Sequence, residues 1–301
     1  MHEEHHHHSH NLKGRPLLLA VVLNLLITLA QVVGGLVAGS LSLLGDALHN
    51  FSDVLSLLLS YFANKLSHRN QDVTKTFGYK RAQILAAFIN ALTLIGVSVF
   101  LIIQSIERFF ITQVIASEYV IFFALAGILV NGGSALMLIK HQKGDSNMRS
   151  AYLHLMADMA TSFAVLAGGL AMYFFQVFWV DGVITILVAF YLIYMSAKLF
   201  LHTAHVLMQF VPAHLKVEEI CATLRKNESV LDIHHVHIWR INDDSVHFEA
   251  HVLLRQDMSV SRFEVLKNQL SKKLYDEFEI NHAIFQPEFT GCTSQDVVAQ
   301  E

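Results

Sequence analysis

A chain of 301 residues in which 53% are hydrophobic and 15% charged, at a mean hydropathy of +0.45, is too apolar for a soluble enzyme of this size and reads as a membrane protein. The formal charge of -4 offers no basic excess for a nucleic-acid partner. The two cysteines, Cys221 and Cys292, stand far apart with no CxxC between them. Cys221 reads as a buried helix residue, and Cys292 leaves a peripheral soft metal ligand open.

The opening MHEEHHHHSH holds six of the 19 histidines and no apolar run, so it is neither a leader nor a span. Glu3, Glu4 and Ser9 interrupt the histidines, which favours a metal-gathering tail over a purification tag. Six apolar stretches follow, near residues 16–37, 41–65, 82–106, 118–140, 150–175 and 178–200. Each approaches the roughly 20 helical residues that a bilayer core requires. The first two are separated by Gly39 and Ser40, and the last two by a short turn at Phe178, Trp179 and Asp181, so both pairs are antiparallel hairpins. Gly34, Gly35, Gly39, Gly132, Gly133, Gly168 and Gly169 allow close helix approach, with Gly35 and Gly39 as a GxxxG pair. Asn24, Asn90 and Asn131 read as interhelical hydrogen-bonding groups.

Basic residues gather on alternate links. Lys13 and Arg15 precede the first span, and Lys65, Arg69, Lys75, Lys80 and Arg81 lie between the second and third. Lys140, Lys143 and Arg149 lie between the fourth and fifth, and Lys198 ends the sixth, while the other links hold almost nothing basic except Arg108. Both termini are therefore expected in the cytoplasm. After Pro212 the pattern changes to a small α+β domain: a helix at 214–227, strands at 231–241 and 246–255 around a turn at Asp243, Asp244 and Ser245, a helix at 259–278 and a strand at 280–287. The strands are expected to be antiparallel with both helices on one face. Phe248, Ala250, Val252 and Leu254 face one way in the second strand, and His247, Glu249 and His251 the other.

Within the second span His49 precedes Asp53 by four residues, and within the fifth His154 precedes Asp158 by the same interval. Four residues on a helix bring both side chains to one face, one turn apart. A lone buried histidine usually satisfies a hydrogen bond, and one such pair could simply lock two helices. Two pairs of identical spacing, with no Lys or Arg from Pro16 through Asn64 or from Ala151 through Ala197 to neutralise the acids, point instead to a site for a cation. Two imidazoles and two carboxylates suit tetrahedral Zn2+ and its near relatives Co2+ and Cd2+, whereas an all-oxygen set would favour Mn2+ or Mg2+. Asp46 and Asn50 share the neighbourhood and read as supporting groups, with Asp46 a candidate to orient His49. Metal needs neutral imidazole and ionised carboxylate, so protons compete for the same ligands, and alternating access would make the chain an antiporter. No GxxxxGK[ST] loop supports an ATP-driven pump, and no HExxH helix supports a zinc hydrolase.

These pairs, with TFGYKRAQILAAFINAL before the third span, IHHVHIW and the later His251 in the tail domain, and the final INHAIFQPE, resemble the cation diffusion facilitator family, most closely its zinc-type members. The resemblance covers nearly the whole chain. It implies six transmembrane helices followed by a ferredoxin-like, metallochaperone-like cytoplasmic α+β domain. It further implies a homodimeric antiporter that removes Zn2+, with Cd2+ or Co2+ as further cargo, from the cytoplasm in exchange for protons at His49, Asp53, His154 and Asp158. A second, structural or regulatory zinc site would lie in the cytoplasmic domain, with His234, His237, His251, Gln286 and Glu288 as candidates. Strand alternation places His237 and His251 on a polar face but groups His234 with Val236 and Ile238. On this reading residues 1–14 are a histidine-rich cytoplasmic tail, 15–205 the membrane domain, 206–290 the metal-binding dimerisation domain and 291–301 a second tail. A bacterial inner membrane suits the short links. The chain departs from the family at the link HQKGDSN, which has one histidine where a histidine-rich loop is common, and at Gln83, where an acid is usual. His68 and Asp72 are the local residues for a loop metal site. A nontransporting sensor or partner subunit and a passive channel are the rival functions.

Overall fold

The computed structural model describes residues 15–67, 69, 71–111, 113–139, 146–290 and 296–297. The histidine-rich opening segment, His68, Lys140, Lys143 and Cys292 lie outside the described residues. Six long helices come first: α1 (Arg15–Ala38), α2 (Leu41–Ser67), α3 (Ala82–Phe110), α4 (Ser117–Leu138), α5 (Ser146–Phe175) and α6 (Trp179–Leu207). A small α+β arrangement follows, of α7 (Val217–Arg225), β1 (Val230–Asn242), β2 (Ser245–Leu254), α8 (Val260–Phe278) and β3 (His282–Glu288). Five of the six long helices are long and apolar enough to cross a membrane on length and composition. The sixth, α2, has the length at 27 residues, and its polar residues Asp46, His49, Asn50, Asp53 and Lys65 dilute its apolar character.

The chain divides into two compact units, one of Met1–Leu58 with Asn90–Lys198 and one of Leu59–Ile89 with Leu199–Glu301. In the first, a buried apolar cluster of Ala38, Leu43, Ile115, Val120, Ala124, Val165 and Met172 joins α1, α2, α4 and α5. Gly35 permits the tight α1–α2 hairpin, since a Cβ there would sit 3.1 Å from the Leu44 backbone nitrogen. Gly39 acts through its backbone rather than through packing: φ is +68°, and no atom would meet its Cβ within 4 Å.

The N-terminus of α2 is capped twice. Ser40 Oγ accepts from Leu43 N at 3.2 Å as a local cap. Asp181, from the first turn of α6 and 1% exposed, accepts from Leu41 N at 2.9 Å, Ser42 N at 3.3 Å and the Ser40 and Ser42 hydroxyls at 2.6 Å each. Arg108 from α3 lies 3.7 Å from Asp181 and donates to the Gly39 carbonyl. Of the three asparagines, Asn90 does join helices, accepting from Ser52 at 3.1 Å and donating to Ser56 at 2.6 Å on α2. Asn24 instead accepts from Thr28 on its own helix, and Asn131 is buried with no hydrogen-bond partner among the described residues.

In the second unit β1 pairs antiparallel with β2, and β3 pairs with the other edge of β2 in parallel. The all-antiparallel expectation is therefore corrected at β3. The reason is topological: α8 carries the chain back along the sheet, so β3 leaves in the direction of β2, as a helical crossover requires. Ile220, Cys221 and Leu224 of α7, Leu266, Leu270 and Leu274 of α8, and Ile233, Ile238, Phe248, Ala250, Val252 and Phe285 of the sheet share one core. Cys221 is fully buried there, and burial pushes its thiol up to about 11. Between α2 and α3, Asp72 closes a turn by accepting from Thr74 N, Thr74 Oγ1 and Lys75 N and pairing with Lys75 Nζ at 2.7 Å. These bonds hold its carboxyl down at about 2, led by the Lys75 side chain.

Candidate metal sites

The periodicity of α2 and α5 brings four side chains together from two helices. His49 Nδ1 lies 3.4 Å from Asp53 Oδ2 and His49 Nε2 lies 3.6 Å from Asp158 Oδ1. His154 Nε2 lies 3.4 Å from Asp53 Oδ2 and 3.6 Å from Asp158 Oδ2, and the two imidazole centroids are 6.1 Å apart. Donor atoms of His49, Asp53 and Asp158 all fall within 4.8 Å of one another. Both carboxylate oxygens of Asp158 are buried without a hydrogen bond, as are Asp53 Oδ2 and His49 Nδ1. Buried acceptors are rarely left in that condition, because desolvation goes uncompensated. A divalent cation between the four side chains would satisfy them, and their N2O2 chemistry fits an ion of the zinc class. The cluster is closed on the Asp158 side, at 0% exposure, and open at His154, at 42%.

Asp46 stands apart from this set. It accepts from Thr161 Oγ1 at 2.6 Å, Ser162 Oγ at 2.9 Å and Gln31 Nε2 at 3.3 Å, and these bonds tie α2 to α5 and α1. No hydrogen bond joins it to His49 among the described residues, and its three bonds clamp α2 to α5 and α1. Asn50 is buried with neither amide atom hydrogen-bonded among the described residues. Tyr191 of α6, which sequence reasoning did not single out, stands edge-on to the His49 ring at 6.5 Å.

A second cluster forms on the sheet. His234, His251 and Glu288 present donor atoms within 4.8 Å of one another. Glu288 bridges the other two, 3.1 Å from His234 Nε2 and 2.7 Å from His251 Nδ1. His234 reaches this face because the ladder slips between His234 and His237, where His235 adopts φ +54°. The bulge absorbs one residue, so His234 pairs across from His251 while Ile238 still pairs inward with Phe248. Strict alternation, which grouped His234 with Val236 and Ile238, fails at that bulge. His237 lies outside the cluster and is exposed; the ring stacked on His251, at 4.7 Å, is that of His235. Gln286 sits opposite His251 in the β2–β3 register and is exposed. His234 is 0% exposed and its Nδ1 has no hydrogen bond. Two imidazoles and a carboxylate so arranged fit a resident zinc ion.

Of the loop pair His68 and Asp72, His68 lies outside the described residues and Asp72 is engaged in its own turn. Residues 17–208 match the cation efflux transmembrane domain, and residues 212–289 match the cation efflux protein cytoplasmic domain. The chain belongs to the cation diffusion facilitator family. Among its relatives, zinc transporter ZitB of Pectobacterium atrosepticum is 31% identical over 95% of this chain and 90% of its own. The metal cation efflux system protein CzcD of Cupriavidus metallidurans is 31% identical over 96% and 92%, and the cadmium, cobalt and zinc/H(+)-K(+) antiporter of Bacillus velezensis 30% over 93% and 91%. A cation diffusion facilitator is a transporter rather than an enzyme, and this one is a multi-pass membrane protein. Its two histidine–carboxylate clusters fall one in each matched region, the first on two membrane helices and the second on the sheet.

Proposed function

We propose that this facilitator exports Zn2+, with Cd2+ and Co2+ as further cargo, from the cytoplasm through His49, Asp53, His154 and Asp158 in exchange for protons. The observation that carries the reading is the convergence of two His-x3-Asp pairs from α2 and α5 at 3.4–3.6 Å. Relatives named as zinc transporters and as an H(+)-coupled antiporter support it.

The chemistry follows from charge. With both imidazoles neutral and both carboxylates ionised the set carries two negative charges, which one divalent cation neutralises. When the cation leaves, protons on His49 and His154 restore that balance beside Asp53 and Asp158, so the low-dielectric site is never left with bare carboxylates. Protons therefore displace metal on one side, and metal displaces protons on the other. His154, the most exposed of the four, is where cargo enters.

In the cytoplasmic domain His234, His251 and Glu288 would hold a resident zinc ion that cross-links β1, β2 and β3; its charge would offset Glu288. The domains run over residues 1–14, 15–205, 206–290 and 291–301, the third pairing two copies into a homodimer. Both termini face the cytoplasm, and the membrane is a bacterial inner membrane.

Purified protein reconstituted in vesicles that contain a zinc dye and a pH dye tests the central step. Zinc entry with proton movement in the opposite direction, abolished by Asp53→Ala, is the expected result. Zinc entry without a pH response would make the protein a channel, and no zinc movement in the wild type would make it a sensor or partner subunit.

A further inference from the structure

The outward face of the sheet carries histidines at both ends. His234, His251 and Glu288 occupy one end. At the other, the strand registers align Trp239 with His247 and His247 with His282, placing three aromatic rings in one row across β1, β2 and β3. Trp239 stacks on His247 at 5.4 Å between centroids, and the His282 ring lies 4.6 Å from His247. His247 and His251 are four residues apart on one strand, roughly 13 Å at the usual rise, too far for one ion to serve both ends.

His247 is 7% exposed. Burial, followed by the like charges of His282 and Lys80, holds its pKa below the ordinary imidazole value. Its Nε2 lies 3.3 Å from Ser245 Oγ, which occupies one nitrogen and orients the other. Phe77, from the segment between α2 and α3, stands edge-on to the same ring at 5.9 Å.

We propose that His247 and His282 form a further metal site, taking one imidazole-preferring divalent ion such as Ni2+, Cu2+ or Zn2+ through one nitrogen of each ring, with water completing the shell. The two rings bring no carboxylate, so Mg2+ and Ca2+ are poor occupants. With two protein ligands the site binds more weakly than the three-residue cluster at the other end of the face, and it fills when cytoplasmic metal accumulates. Because Phe77 packs on a liganding ring, occupancy stiffens the segment that leads into α3.

Trp179 and Trp239 are the two tryptophans of the chain. In a Trp179→Phe background Trp239 is the sole emitter, and it stacks directly on a proposed ligand. Titrating this protein in nanodiscs with Ni2+, a short-range quencher, is expected to extinguish Trp239 emission. His282→Ala, at an exposed position, should raise the midpoint by roughly tenfold or more, the usual scale for losing a group that supports a bound metal. His282→Gln, which keeps size and polarity, should do the same. Absence of quenching, or quenching whose midpoint both His282 variants leave in place, would overturn the assignment.

Discussion

Asp46 accepts hydrogen bonds from Thr161, Ser162 and Gln31, whereas the carboxylate of Asp158 accepts none and faces two imidazoles at 3.6 Å. Removing either acid should therefore fail in a different assay. Asp158→Asn keeps the shape and deletes one of two negative charges opposite a buried cation, a loss on the order of 2–5 kcal/mol, so zinc affinity is expected to fall at least about thirtyfold. Asp46→Ala leaves Ser162 and Gln31 without their acceptor, each buried orphan costing about 1–3 kcal/mol, while Thr161 keeps the Asp158 carbonyl 2.8 Å away. The substitution should lower the thermal midpoint while the protein that remains folded binds zinc with near wild-type affinity. Calorimetric zinc titration beside thermal unfolding separates the two, and a collapse of affinity in Asp46→Ala would return that residue to the site. The His-x3-Asp intervals are legible in the chain because helix periodicity converts spacing directly into a shared face. The surroundings of Asp46 are not, since Thr161 and Ser162 lie more than a hundred residues away in sequence and meet it only after α2 and α5 pack.

At the level of elements, α2 is the least apolar of the six long helices and carries half of the histidine–aspartate cluster, so its end needs external support. Asp181 gives it, receiving two backbone N–H groups of the first turn and two serine hydroxyls that themselves belong to that turn. An acid at a helix N-terminus is also favoured by the aligned peptide dipoles. Asp181→Ala removes both effects and leaves Arg108 without its carboxylate, for an expected loss of about 1–2 kcal/mol. Thermal unfolding of the purified variant measures it, and an unchanged midpoint would mean that Ser40 and lipid hold α2 unaided. The six helices were readable because long apolar runs admit few alternatives. Within the sheet the strands were readable and their wiring was not. Nothing in IHHVHIW announces that His235 turns to positive φ, yet that one residue decides whether His234 faces the core or joins His251 and Glu288. Alternation likewise shows which residues of β3 lie out, but its direction depends on where α8 delivers the chain.

Across the whole molecule, orientation rests on the distribution of cations, and Arg108 is the residue that breaks the pattern. Its surroundings explain the exception: Asp181 lies 3.7 Å away and the Gly39 carbonyl accepts from it, so the guanidinium is neutralised where it sits and does not act as a free topogenic charge. With Arg108 set aside, the proposed orientation rests on Lys65, Arg69, Lys75, Lys80 and Arg81, which would put the α2–α3 link in the cytoplasm and the α3–α4 link on the far side. Two highly exposed positions report on this, Val73 at 97% in the first link and Val114 at 83% in the second. In a background with Cys221 and Cys292 replaced by serine, Val73→Cys should react with a membrane-impermeant maleimide only after the cytoplasmic face is opened to it. Val114→Cys should react from outside intact cells. The reverse pattern would invert the protein in the membrane, and an exporter would then have to be read as an importer, since the same histidine–aspartate site would pass its cargo the other way.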